Sequence, residues 1–386
     1  MEALLLGLSN LLDTHVIIAI LIGAIGGVVI GAIPGIGPAI AIAILLPATI
    51  FLEDLVSLVL LLGIYGSAMY GGAIPAILIN TPGTPVNALT TYDGYSMTKN
   101  GDAPRALSLA YSSSFFGGCF SISIALICLI VFGPYLRDFG ALFGQRDIFM
   151  AAALGSVLLI LAHRQNMAIA AMLFALGFLI SMVGRQTSRG VARYTFEIEY
   201  LASGFNLIVV IVGIFALSQA LNLMNGKDTD PPETKITKGL FKGLAELKKY
   251  PAVAFISASF GTVMGIIPGV GEFVAQFFSY STARSLSKNP SKFGYGAPEG
   301  LIACETSNNA VPAAAMIPLL ALGVPGEALT AMMMVVFFDA GIKPGPDIFE
   351  KAPDFLFSLF IALLFINIYE ISLSSFVIYA AELLLK

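Results

Sequence analysis

The sequence predicts an all-α polytopic membrane protein with an internal duplication, its two repeats each built around broken or re-entrant helices. Three observations carry this. The 386-residue chain is 57% hydrophobic and only 11% charged, with a mean hydropathy of +0.89, whereas a soluble domain carries roughly 25% charged residues. Its apolar stretches reach the roughly 20 residues that a bilayer-spanning helix requires, and they lack the alternation over about 10 residues that marks barrel strands. Finally, two Pro/Gly clusters recur in the same order in the two halves.

Uninterrupted apolar segments fall near 15–33, 54–70, 105–133, 147–162, 166–183, 204–222, 251–267 and 355–383. Four further regions, 34–50, 71–90, 268–283 and 308–345, are apolar but broken by Pro and Gly. The longest polar interruption is 223–250, with six lysines against four acids. It is read as a cytoplasmic linker by the positive-inside rule, with a short surface helix over 238–249. The chain thus divides into a first repeat over 1–222, the linker, and a second repeat over 251–386. About 208 residues of the first repeat (15–222) stand against 136 of the second, so the second is predicted to be shortened. The segment 355–383 is long enough for one tilted helix or a tight pair.

The recurrence is specific. "GAIPGIGPAIAIAI" at 31–44 matches "GIIPGVGEFVAQFF" at 265–278, which pairs Pro34, Gly35 and Gly37 with Pro268, Gly269 and Gly271. "IPAILINTPGT" at 74–84 matches "IPLLALGVPGE" at 317–327, which pairs Pro82 and Gly83 with Pro325 and Gly326. Transporters place their sites at such corresponding breaks. Inside a bilayer, backbone groups freed by Pro or Gly must be satisfied by protein or line a polar cavity. Half-helix N-termini then suit an anion, and C-terminal ends and free carbonyls suit a small cation. The site motifs are therefore placed at 31–50, 71–103, 265–283 and 305–346, with broken turns at the first and third.

Other polar positions carry less. The net charge of −4 argues against a nucleic-acid partner. Cys119, Cys128 and Cys304 lack ligand spacing and read as free thiols. His15 and His163 sit at segment ends, and tyrosines such as Tyr92, Tyr95, Tyr135 and Tyr194 must supply the interfacial belts, because the chain has no tryptophan. No removable signal peptide is read at the N-terminus. The stretch around Asp93, Tyr95, Lys99 and Arg105 reads as a membrane-face loop. Glu305 is expected to cap a half-helix or bind an ion, and Arg185, Arg189 and Arg193 to mark an interface.

The blocks "NTPGTPVNALTTYDGYSMTKNGDAPRAL" (80–107), "FGYGAPEGLIACETSNNA" (293–310), "IPLLALGVPG" (317–326) and "GIKPGPDIF" (341–349) resemble the large permease subunit of the tripartite tricarboxylate transporters, the TctA family. The resemblance spans about 20 to 350. It implies a secondary active transporter of the inner membrane, not an enzyme, that takes up citrate or related organic carboxylates on a Na⁺ or H⁺ gradient. It also implies a small membrane subunit and an extracytoplasmic solute-binding protein as partners and no cofactor besides the coupling ion; alternating access would then move the broken-helix tips together, as an elevator or a rocking bundle. The repeats are expected to be inverted in the bilayer, and homo-oligomers are an open expectation. Substrate contacts are expected from Asn80, Thr81, Pro82, Gly83 and Thr84 in the first repeat and from Asn308, Asn309, Val324, Pro325 and Gly326 in the second. Pro34, Gly35, Gly37, Pro268, Gly269 and Gly271 would support them.

Glu272 and Glu327 depart from the family pattern. Buried carboxylates beside an anion site repel it unless protonated or cation-bound, so they read as an ion or proton site or as lining a wet vestibule. A channel, uniporter or exporter for small anions is the rival reading. An intramembrane enzyme fits less well, because the motifs are poor in titratable groups.

Overall fold

The computed structural model describes residues 2–140 except Gly35 and Ile50, then 167–186, 191–205, 240–323 except 268–269, and 325–384 except 346–347, with single positions between 146 and 160. The predicted segment 147–162, nearly all of 204–222, most of the linker and His163 lie outside the described residues. Among the described residues the chain is helical, apart from a two-residue antiparallel pair, β1 (Gly184–Arg185) with β2 (Ala192–Arg193).

The helices are α1 (Glu2–Asn10), α2 (Thr14–Ala32), α3 (Gly37–Thr49), α4 (Asp54–Ile79), α5 (Thr90–Lys99), α6 (Ala103–Gly140) and α7 (Met167–Ser181). After the linker come α8 (Leu240–Leu247), α9 (Pro251–Ile266), α10 (Gly271–Leu286), α11 (Pro298–Leu322), α12 (Ala328–Asp339), α13 (Ile348–Lys351) and α14 (Pro353–Leu384). Four are long and apolar enough to cross a membrane over Thr14–Ala32, Asp54–Ile79, Ala103–Val131 and Pro353–Ser374. The protein is an all-α membrane protein. Lipid-facing stripes follow from exposure: α2 turns Ile18, Ile22 and Val29 outward, each about half exposed, while Ala24 is fully buried. α7 is apolar and has no buried residue.

α4 is the central element. It packs against α2 through small residues, so that a Cβ on Gly23, Gly27 or Gly31 would collide with Gly63, Ser67 or Ala68 respectively. Close backbone approach of this kind is how helices associate where lipid removes the hydrophobic drive. Beyond it, α6, α11 and α14 complete a layer whose core holds Leu62, Tyr65, Leu319, Phe337, Phe360 and Ile366.

The two halves repeat a sequence of backbone conformations. α2 ends at Ile33 (φ −91°, ψ 109°) and α9 ends at Ile267 (φ −84°, ψ 112°). α3 begins at Gly37 with φ 59°, and α10 begins at Gly271 with φ 68°. α4 closes on left-handed Asn80 (φ 55°), α11 on left-handed Gly323 (φ 64°). In both halves the later turn packs on the earlier helix: a Cβ on Gly83 would run into the Gly31 carbonyl, and one on Gly326 would stand 3.4 Å from the Gly265 carbonyl.

The expected proline breaks are corrected in part, and two further expectations are decided. Pro75 does not break its helix, because α4 continues through it to Ile79. Pro312 and Pro318 likewise lie inside α11. Segment 355–383 forms one helix rather than a pair. The expected surface helix over 238–249 is α8, which packs on α6: the Gly243 N–H donates to Ser108 Oγ at 3.0 Å, and Arg105 holds Glu246 at 2.6 Å.

Candidate functional site

The polar knot 80–84 terminates α4. The Thr81 N–H donates to the Pro75 carbonyl and the Gly83 N–H to the Gly72 carbonyl, both at 3.2 Å. The Pro75 carbonyl also accepts the Asn80 N–H, and Gly72 lies well inside α4, so the knot folds back along its own helix and two of its amides are used within the chain. Thr81, Pro82, Gly83 and Thr84 are buried, and Asn80 is half-buried. A 3-10 turn at Pro85–Ala88 leads from the knot into α5.

From Thr84 a hydrogen-bonded strip runs through the core. The Thr84 hydroxyl donates to Asn87 Oδ1 at 2.5 Å. Asn87 Nδ2 lies 3.4 Å from Glu305 Oε1, Thr90 donates to the same oxygen at 2.5 Å, and Ser114 donates to Oε2 at 3.0 Å. Asn309 Nδ2 in turn donates to Ser114 Oγ at 2.8 Å. Glu305, Asn87 and Ser114 are all buried. The strip therefore joins the first-repeat motif to Asn309 across α5, α6 and α11. Glu305 is not a cap: it lies two turns inside α11 and accepts from three neutral donors.

Asn308, one residue before Asn309, is fully buried, and neither of its amide atoms has a partner among the described residues. Gln276 on α10 is in the same state. A buried amide left unpaired costs about 1–3 kcal/mol per group. Such groups in a native core call for an explanation.

A second cluster gathers the two odd glutamates. Glu272 lies in the first turn of α10, and Glu327 is the N-cap of α12, where its side chain accepts from the Thr330 backbone while Thr330 Oγ1 accepts the Glu327 N–H at 3.1 Å. Both carboxylates meet the Tyr65 hydroxyl of α4, Glu272 at 3.0 Å and Glu327 by a shorter hydrogen bond. Each therefore occupies a positive helix end. The corresponding first-repeat positions, Pro38 and Thr84, carry no charge. Pro34 and Gly37 form the first broken turn. Pro325 and Gly326 stand beside Glu327, with Gly326 buried against Ala315. Gly35, Pro268, Gly269 and Val324 lie outside the described residues. Among the described residues no group of three or more His, Cys, Asp or Glu is placed to hold a metal ion.

Asp93 also departs from expectation. It is buried on α5, where Oδ1 accepts the N–H groups of Gly294, Gly296 and Ala297 at 2.9, 2.9 and 2.8 Å, and Oδ2 accepts the Tyr280 hydroxyl at 2.9 Å. A residue of the first half thus holds the loop that leads into α11 of the second. Tyr92 and Tyr194 are about half exposed, consistent with interfacial positions. Asn87, Thr90, Ser114 and Tyr65 were not singled out from sequence. The first two lie within the "NTPGTPVNALTT" block, whose regular polar spacing was the available signal.

The family model for "Tripartite tricarboxylate transporter TctA family" matches residues 17–386. A 52.8 kDa protein in the TAR-I ttuC' 3'region of Agrobacterium vitis is 35% identical over 349 residues, covering 90% of this chain and 68% of that protein. A protein in the TAR-II ttuC' 3'region of the same organism is 44% identical over 93 residues, covering 24% of this chain and 38% of its own length. No solved structure matches. The chain belongs to the TctA family of tripartite tricarboxylate transporters.

Proposed function

We propose that the chain is the permease through which a small organic carboxylate, citrate or a related acid, crosses the inner membrane by alternating access, driven by a Na⁺ or H⁺ gradient. The observation that carries this is the buried polar strip from Thr84 to Asn309, bordered by the unpaired amide of Asn308, within an otherwise apolar membrane protein. The recurrence of backbone breaks supports reading 1–222 and 251–386 as two repeats, with the site at their facing breaks. Asn80, Thr84, Asn308 and Asn309 supply side-chain contacts to the substrate carboxylates. Glu272 and Glu327, two acids against one Tyr65 hydroxyl, suit a shared proton or a bound Na⁺ and disfavour a second anion there. The family's name implies further subunits, and a small membrane subunit and a solute-binding protein are the proposed partners.

The test is uptake of labelled citrate and smaller carboxylates into proteoliposomes under an inward Na⁺ gradient, an H⁺ gradient, or neither. Gradient-dependent accumulation that falls at least tenfold in Asn308→Ala supports the reading. Equilibration without accumulation indicates an uncoupled channel or uniporter instead.

A further inference from the structure

Glu370 is a buried acid that the site above does not use. It lies on α14, one turn beyond Asn367, at 0% exposure, and neither carboxyl oxygen makes a hydrogen bond among the described residues. The Ser67 hydroxyl of α4 stands within reach without meeting hydrogen-bond geometry. Among the described residues, the titratable groups facing this region from α4 and α6 are Tyr70, Tyr111 and Cys119, none of them cationic, and α2 contributes Val28. α8, which also touches α14, carries Lys242, which is exposed, and Glu246, which is held by Arg105. An isolated carboxylate at membrane depth without a cation is far less stable than its neutral acid.

Glu305 has different surroundings. Three neutral donors, Asn87, Thr90 and Ser114, hydrogen-bond its oxygens and offset part of the cost of its burial. Tyr70 and Tyr111, their rings 5.2 Å apart, pack in one cluster with Ile371, the residue after Glu370. Tyr70 donates to Asn367 Oδ1, and the Tyr111 hydroxyl has no partner among the described residues. Beside them a cavity with room for water is lined by Tyr70, Asn309, Asn367, Gly66, Gly118 and Pro312. Asn309 connects this cavity to Ser114 and so to Glu305.

We propose that Glu370 is a proton-carrying site, neutral at rest, that releases and regains its proton by way of the Tyr70 and Tyr111 hydroxyls and water in the cavity that Tyr70 lines. In the transfer the Glu370 O–H bond breaks, a proton advances along the hydroxyls, and an O–H bond forms on the water; no electrons change hands. The consequence for transport rests on the carrier reading above and names H⁺ as a coupling ion. The protonation of Glu370 itself does not depend on that reading.

The first test is therefore infrared spectroscopy of the purified chain in a maltoside detergent, which contributes no carbonyl band, at neutral pH in H₂O and D₂O. Wild type minus Glu370→Gln is expected to show a deuterium-sensitive carboxylic-acid band. Superimposed spectra for Glu370→Gln, or a carboxylate band in its place, overturn the proposal. Tyr111→Phe, which keeps the shape of the core, is expected to shift the acid band, and no shift would remove Tyr111 from the path. In proteoliposomes, Glu370→Gln is expected to retain carboxylate exchange while losing H⁺-driven accumulation at least tenfold. Undiminished accumulation would overturn the coupling role. If wild type moves no carboxylate, the carrier reading falls and the infrared result alone decides the protonation.

Discussion

Replacing Asp93 with alanine is expected to destabilise the protein more than any other single change on α5. The carboxylate accepts three backbone N–H groups of the loop Gly294–Ala297, just before α11, and one hydroxyl from Tyr280, and it is 1% exposed. An ordinary N-cap loss to alanine costs about 0.5–2 kcal/mol. Here three amides lose one shared acceptor, and each buried donor left open costs about 1–3 kcal/mol. Gly294 and Gly296 are partly reachable by water, which lowers their share, so the expected total is about 3–5 kcal/mol. Asp93→Asn keeps an acceptor for the amides and lets the new NH₂ face the Tyr280 oxygen. It loses only the charge assistance, about 1–2 kcal/mol. At about 2 °C per kcal/mol for a chain of this size, thermal melting in detergent should drop by roughly 6–10 °C for alanine and roughly 2–4 °C for asparagine. Melting of the alanine variant within about 1 °C of wild type would refute this account of the loop.

Two further expectations concern packing and the surface. Gly83→Ala places a Cβ into the Gly31 carbonyl, 2.8 Å from Gly72 Cα and 3.0 Å from Pro75 Cγ. Because backbone cannot step aside, it should cost about 1–3 kcal/mol or more, whereas Gly326→Ala, whose nearest neighbour is at 3.4 Å, should melt within about 2 °C of wild type. Equal effects at the two sites would contradict the packing described. Arg105→Ala removes an ion pair to Glu246 at a site that is 42% exposed, so it should cost no more than about 1 kcal/mol, and in 1 M NaCl, where the screening length falls to about 3 Å, the difference from wild type should shrink. A large, salt-insensitive loss would show that the α8 contact depends on more than the ion pair.

How far the sequence specified these features follows from membrane physics. Membrane character, the order of apolar segments and the paired Pro/Gly clusters were legible, because spans need length and breaks need Pro or Gly. The left-handed turns at Gly37 and Gly271 fall where the paired motifs place them. Which prolines break a helix was not legible: Pro75, Pro312 and Pro318 sit inside continuous helices. Nor was the inner face of each helix. In a soluble protein the polar stripe marks the outside, but in lipid both faces are apolar, so nothing in the pattern around Glu305 or Glu370 announced burial. Asn87, Thr90 and Ser114 were missed for the same reason. Their role exists only through Glu305, more than 190 positions away for Ser114.

The central claim is that the buried strip ending at Asn308 and Asn309 holds a carboxylate. Its most direct test is the melting temperature of the purified chain titrated with citrate and smaller carboxylates, using chloride as the control anion. A ligand bound to the folded state stabilises it by about 2.7 kcal/mol at a hundredfold excess over Kd. The account predicts a saturable rise in melting temperature with at least one carboxylate, abolished in Asn308→Ala and absent with chloride. No rise in wild type, or an equal rise in Asn308→Ala, would contradict it.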